Sequence, residues 1–133
     1  MSRPRLSKDY GRIKRMGESV YAERRQVMDF VYEAKRMLRN VGCDLPRINV
    51  RISDKCGCKH THVLGLADVG ERNIYIHDCT LKKPYLRQVV LHEIVHAVTG
   101  FAHNEKCPLM HPIVQPKASK ESIDKAFISY FTK

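Results

Sequence analysis

The sequence predicts a single α+β domain with a small mixed sheet, an N-terminal helix, an active-site helix and a C-terminal helix. One apolar stripe at helical spacing comes first, strand-like segments follow it, and two further helical stripes complete the chain. The length of 133 residues, with 43% hydrophobic and 29% charged residues, suits one globular domain rather than a disordered or fibrous chain. Helices that precede and follow a run of strands are typical of the α+β class.

The first half of the chain contains one predicted helix and three predicted strands. A helix is expected over 18–41, with Gly42 where it would stop. Polar and apolar residues alternate over 47–52 after a proline, which predicts a half-buried strand, and 63–69 and 73–76 predict two strands around a turn. The apolar positions of the helix recur at steps of three and four residues: Val20, Val27, Phe30, Val31, Ala34, Met37, Leu38 and Val41.

Two helices are predicted in the second half. The first opens at Leu81-Lys-Lys-Pro84, since proline is favoured in a first turn, and ends at Gly100. The second runs from Ser119, a residue suited to an N-cap, through Tyr130. Their inner faces are predicted to consist of Leu86, Val89, Val90, Ile94 and Val98 in one helix and Ile123, Ala126, Phe127 and Tyr130 in the other.

Charge is concentrated near the N-terminus. The chain carries a formal net charge of +10, and its first 17 residues hold six Lys or Arg against the single acid Asp9. We expect 1–17 to form a basic, flexible tail and 18–133 to form the folded domain. A field of this sign would also attract an anionic partner such as nucleic acid to the basic surface.

Targeting signals are not recognisable in the sequence. We find no apolar stretch long enough for a membrane span and no apolar segment near the N-terminus that would act as a signal peptide. The five cysteines are an odd number, which favours free thiols in a reducing compartment over a disulfide framework. An intracellular (cytoplasmic) or viral location is therefore expected.

The most specific chemical pattern is His92-Glu93-Ile-Val-His96, inside the predicted active-site helix. Histidines four residues apart leave the same helix face one turn apart, so both can bind one tetrahedral metal ion. Glu93 can reach a water molecule on that metal and take its proton, as this spacing does in metalloproteases. A catalytic zinc needs a third protein ligand, and His103, just past the turn at Gly100, is the first candidate. The alternatives are His111, His77 and His62.

The segment His92-Glu-Ile-Val-His-Ala-Val-Thr-Gly-Phe-Ala-His103, followed by Leu109-Met-His-Pro112, resembles the metzincin clan of zinc endopeptidases, and its matrixin-like members most closely. The family pattern has two residues between the second histidine and the glycine, whereas this chain has three before Gly100. The resemblance implies a zincin-like peptidase domain. It also implies that Met110 is the methionine of the turn beneath the zinc.

The resemblance further implies a substrate cleft. Pro112, Ile113 and Val114 would wall the pocket for the residue after the scissile bond. Gly65, Leu66, Ala67 and Asp68 are similar to the family's edge strand, whose open backbone pairs with an extended substrate.

A second group of potential metal ligands precedes that strand: Cys56, Cys58, His60 and His62. In a loop these side chains could close around a second, structural zinc ion, although the spacing matches no standard finger. Ordinary half-buried or exposed thiols are the favoured interpretation, and the second zinc site is the alternative. Another alternative is that Cys56 reaches the catalytic zinc as an inhibitory thiolate, as family propeptides do.

The sequence therefore predicts a zinc metalloendopeptidase that acts on a peptide or protein substrate. Its zinc would be held by His92, His96 and His103, with Glu93 as general base. Two alternatives stay open: a nucleic-acid-associated protein, and a structural or assembly protein that retains the fold and zinc site. The presence of Glu93 favours the enzyme, because a purely structural site has no need for a base.

Overall fold

The computed structural model describes residues 24–53, 65–68 and 71–132. The predicted tail at 1–17 and the group Cys56, Cys58, His60 and His62 lie outside the described residues. Those that are described form three α-helices and a three-stranded mixed sheet, so the predicted α+β class is confirmed. Within this part of the chain, no helix is both long enough and apolar enough to cross a membrane.

The first helix, α1, is described over 24–39, and its apolar stripe faces the core as predicted. It ends two residues before the predicted position, and Val41 is exposed rather than buried. The backbone N–H of Cys43 donates to the carbonyl of Leu38 at 2.8 Å, across Gly42, whose φ of 81° is the left-handed conformation that glycine adopts at helix ends. The inward residues are Val27, Val31, Ala34 and Leu38.

The sheet consists of β1 (Asn49–Ser53), β2 (Gly65–Asp68) and β3 (Asn73–His77). Its strand order is β1-β3-β2. β1 pairs with β3 in parallel, and β2 pairs with β3 in antiparallel fashion. Among the described strands, β1 and β2 are therefore the two edges. The predicted pairing of 63–69 with 73–76 is confirmed, with the first of these strands described only over Gly65–Asp68.

The active-site helix, α2, extends from Leu86 to Thr99 and packs against β2 and β3. Its predicted opening at Leu81-Lys-Lys-Pro84 is wrong, because a short 3-10 helix at Asp78–Thr80 and a turn precede it. A proline disfavours the helical conformation in the residue before it, so α2 begins only after Pro84. Nine of its 14 residues are buried, which makes α2 the central element of the core. Its predicted end is confirmed, with Gly100 at φ 74°.

The last helix, α3, extends from Lys120 to Phe131, and the predicted N-cap is confirmed: Ser119 accepts a hydrogen bond from the N–H of Ser122 at 3.1 Å. A charged network joins the three helices. The Arg87 guanidinium on α2 donates to Glu33 on α1 at 2.8 Å and to Asp124 on α3 at 2.6 Å. This network therefore links one residue from each of the three helices.

Candidate metal centre

Three histidines converge at the C-terminal end of α2. His92 and His96 lie on one face of the helix, and His103 returns to them from the segment that follows Gly100. Their ring centroids are 4.6, 5.2 and 4.8 Å apart. One ligand nitrogen from each ring lies within 4.8 Å of the others, so the group could hold a metal ion.

The outer nitrogens of the two helical rings are fixed by backbone carbonyls. Nδ1 of His92 lies 2.7 Å from the oxygen of Leu109, and Nδ1 of His96 lies 2.9 Å from the oxygen of Phe101. A carbonyl oxygen can only accept a hydrogen bond, so each Nδ1 carries the proton and each neutral ring presents the lone pair of Nε2. Such second partners orient metal-binding histidines and set their tautomer.

The two inner nitrogens suit a shared cation. Nε2 of His92 and Nε2 of His96 are 3.1 Å apart, and with both protons on Nδ1 neither can donate to the other. Two nitrogens bound at about 2.0–2.1 Å to one tetrahedral zinc lie roughly 3.3 Å apart, close to this separation. Burial lowers the pKa of His92 to about 4 and also lowers that of His96, which keeps both rings in the neutral form that binds metals.

The loop after α2 folds back on itself and fixes the third histidine. The N–H of Asn104, the neighbour of His103, donates to the carbonyl of Met110 at 2.9 Å, and the N–H of Cys107 donates to Asn104 at 3.0 Å. Met110 is fully buried, and the preceding residue, Leu109, supplies the carbonyl that orients His92. The loop therefore ties His103, Met110 and His92 into one unit.

Glu93 faces the edge strand. Its side chain is buried, with only 6% of the residue exposed, and burial raises its pKa to about 8 in the metal-free chain. The neighbour on β2 is Gly65: a Cβ atom there would lie 3.2 Å from Cγ of Glu93 and 3.3 Å from its Oε2. The carboxyl group thus occupies the space that any other residue at position 65 would fill.

The predicted pocket residues differ in their exposure. Gly65 and Ala67 are half-buried, whereas Leu66, on the opposite face of β2, is 53% exposed. Its side chain therefore points away from Glu93, and only its backbone belongs to this face. In the predicted wall at 112–114, Pro112 is exposed and Ile113 is 67% exposed.

A buried glutamine anchors that wall to α2. The side-chain amide of Gln88 donates to the carbonyl of Gln115 at 3.0 Å and accepts from the N–H of the same residue at 2.7 Å. Gln88 lies one helical turn before His92, and only 8% of the residue is exposed. Sequence reasoning missed it, because apolar periodicity does not predict the burial of a polar residue.

Of the other candidate ligands, the two that the structure describes, His77 and His111, are not part of the histidine group. His111 accepts a hydrogen bond from the N–H of Ile113 at 3.0 Å and is not part of the group that could hold a metal. Neither ring nitrogen of His77 has a hydrogen-bond partner among the described residues, and His62 lies outside them.

Comparisons of this chain with protein-family models, curated proteins and solved structures found no match.

The buried carboxyl group predicts a pH dependence of the metal-free protein. Glu93 has a pKa of about 8 in the folded chain and an ordinary value of 4.5. Between these two pH values the carboxyl group keeps its proton in the folded chain and has lost it in the unfolded chain. The folded state then binds more protons, so this group's contribution to stability falls as pH rises from about 4.5 to 8. Urea unfolding at pH 5 and pH 8 measures the free energy of unfolding of the parent and of Glu93→Gln. If the difference between the two proteins were the same at both pH values, the prediction would be contradicted.

The contact between Gly65 and Glu93 predicts a mutational effect. In Gly65→Ala the new Cβ would lie 2.9 Å from the carbonyl oxygen of Tyr75, so β2 and Glu93 must shift. For the peptidase activity that the sequence predicts, we expect a fall of about 100-fold, since small displacements of a catalytic group have effects of this size, with the predicted zinc binding retained. Gly42→Ala is the matched control: its Cβ would meet nothing within 4 Å, and it should reduce stability without changing activity per folded molecule.

Proposed function

We propose that this chain is a zinc-dependent endopeptidase with a zincin-like fold. The observation that carries the proposal is the coincidence of three histidines around one point with a buried carboxyl group one residue after the first of them. Three protein ligands with a fourth position left open are typical of catalytic zinc, whereas structural zinc sites have four. His103 is exposed, so the open side of the group can face a substrate.

The donor set fits zinc or another transition metal and does not suit magnesium or calcium. Imidazole nitrogens suit zinc, copper, iron and nickel, while magnesium and calcium require oxygen ligands. When bound, zinc would supply a Lewis acid that polarises the scissile carbonyl and lowers the pKa of a coordinated water to about 7.

The chain's own residues would perform the remaining tasks. Glu93 accepts a proton from the attacking water on a carboxylate oxygen and delivers it to the amine nitrogen that leaves. A cation held by the histidines would lower the pKa of Glu93 from its metal-free value of about 8 and so favour the carboxylate form that a base requires. The exposed edge of β2 binds the substrate backbone in extended form, and the wall at 112–114 contacts the side chain beyond the cleaved bond.

Metal removal and reconstitution test the proposal. The full chain would be stripped with a chelator, reloaded with one equivalent of zinc, and incubated with a mixed peptide library whose products are identified by mass spectrometry. We expect cleavage of internal peptide bonds by the zinc-loaded protein, no cleavage by the stripped protein, and recovery on reloading. A folded protein that binds zinc stoichiometrically and cleaves no peptide would show that the site is structural.

A further inference from the structure

A basic groove lies away from the histidine group, between α1 and β1. It encloses about 500 Å³, within the size range of ligand sites. Twelve residues line it, from 24–35 on α1 and 45–51 in and before β1. Because β1 and β2 are opposite edges of the described sheet, two strand spacings, or about 10 Å, separate the groove from the strand beside Glu93.

The charge of this groove is uniform. Four of the residues that line it are cations, Arg24, Lys35, Arg47 and Arg51, and none is acidic. In the described part of the chain, none of the four forms an ion pair with a carboxylate, whereas Arg87 has two carboxylate partners. Unpaired cations around a concavity focus a positive potential that attracts an anionic chain.

The groove also carries an exposed aromatic ring. Tyr32, on the α1 side, is 56% exposed, beside the half-buried Met28. Exposed rings within a basic groove are the platforms on which single-stranded nucleic acids stack their bases. A duplex keeps its bases stacked and paired, so it would contact the groove cations but would offer no free base to stack on Tyr32.

The edge of β1 is not free for peptide addition. Nε and Nη2 of Arg24 lie 3.4 and 3.3 Å from the carbonyl oxygen of Val50, which therefore accepts from the Arg24 side chain. An acidic peptide that paired its backbone with β1 would have to displace this contact. The groove therefore suits a nucleic acid, recognised through its phosphates and bases, better than an acidic peptide, recognised through its main chain.

We propose that the groove between α1 and β1 binds single-stranded nucleic acid, with Arg47 and Arg51 contacting phosphates and Tyr32 stacking on a base. This inference does not depend on the proposed peptidase activity, because the groove and the histidine group share no residue. Binding here would hold the chain on a nucleic acid strand while the zinc face stays open to a protein substrate.

Oligothymidylate binding to the zinc-loaded full chain tests the inference, with fluorescence anisotropy recorded over a range of salt concentrations. Arg47→Gln/Arg51→Gln removes two groove cations, and Lys117→Gln/Lys125→Gln removes two exposed cations outside the groove. We expect the groove variant to lower the slope of log affinity against log salt by about 1.4, since each lost phosphate contact contributes roughly 0.7. The control pair should leave the slope unchanged.

Tyr32 provides a second, charge-neutral readout. Tyr32→Ala should weaken binding about tenfold, whereas Tyr32→Phe, which keeps the ring, should bind like the parent. The Tm and bound zinc of every variant establish that it is folded. Equal weakening by the two charge-pair variants would overturn the proposal in favour of general attraction to the +10 chain. A parent-like Tyr32→Ala, or equal displacement of the oligonucleotide by polyglutamate, would overturn it in favour of an acidic partner.

Discussion

Glu93→Gln is expected to reduce peptide hydrolysis by the zinc-loaded chain about 1,000-fold, within the range attributed to general acid–base catalysis. Glutamine has nearly the same shape as glutamate but cannot accept the proton of the attacking water. Because Glu93 is buried beside Gly65, the amide can occupy the same space without moving β2 or α2. The loss should therefore appear in kcat, with KM for the peptide little changed.

Two measurements separate this result from a loss of structure. Glu93→Gln should bind one equivalent of zinc as the parent does, since all three histidines are intact, and should keep a cooperative unfolding transition. Glu71→Gln, at an exposed position in the turn before β3, is the matched control and should retain parental activity. If Glu93→Gln cleaved peptides as fast as the parent, Glu93 would not be the base and the proposed mechanism would be wrong.

The second large effect concerns metal affinity. Replacing His103 with alanine should weaken zinc binding by more than 100-fold, because the loss of a side chain that only hydrogen-bonds to a metal ligand already weakens binding about 10- to 100-fold. The same result is expected for His96→Ala. Competition with a chromophoric zinc chelator at pH 7.5 measures these affinities directly, independently of any peptide substrate.

His111→Ala is the control that discriminates between ligand assignments. His111 is the nearest alternative in sequence, but its Nδ1 accepts from the N–H of Ile113. Zinc affinity should therefore stay within about twofold of the parent value, as is usual for substitutions away from a metal's ligand shell. The assignment of His103 would be refuted if His111→Ala lost zinc while His103→Ala retained it.

The elements of the fold were predictable where the pattern is local. The apolar spacing of Val27, Val31 and Leu38 follows the period of a helix, and the alternation of Ile48 and Val50 follows that of a strand. The two ends marked by glycine, at Gly42 and Gly100, were also predictable, because left-handed backbone there favours a residue without a Cβ. The start of α2 was not predictable, because proline is compatible both with the first turn of a helix and with the non-helical turn that precedes the helix.

The geometry around the histidines depended on contacts between distant positions. Helix periodicity places His92 and His96 together, but the approach of His103 requires the return of 103–110 through the bond from Asn104 to Met110. The contact of Gly65 with Glu93 joins residues separated by a strand, a turn and half a helix. Hydrophobic periodicity carries no information about such pairs, so the neighbours of the carboxyl group could not be derived from it.

The double hydrogen bond between Gln88 and the backbone of Gln115 has a consequence for how substrate choice could change. It fastens the segment that follows the predicted wall at 112–114 to the same helix that carries two of the histidines, so in the proposed peptidase this bond would hold the wall to α2. Exposed side chains on that wall, such as Ile113, can vary without moving the ligands. Selectivity for substrate size can thus diverge by surface substitution alone, while the reacting centre is inherited unchanged.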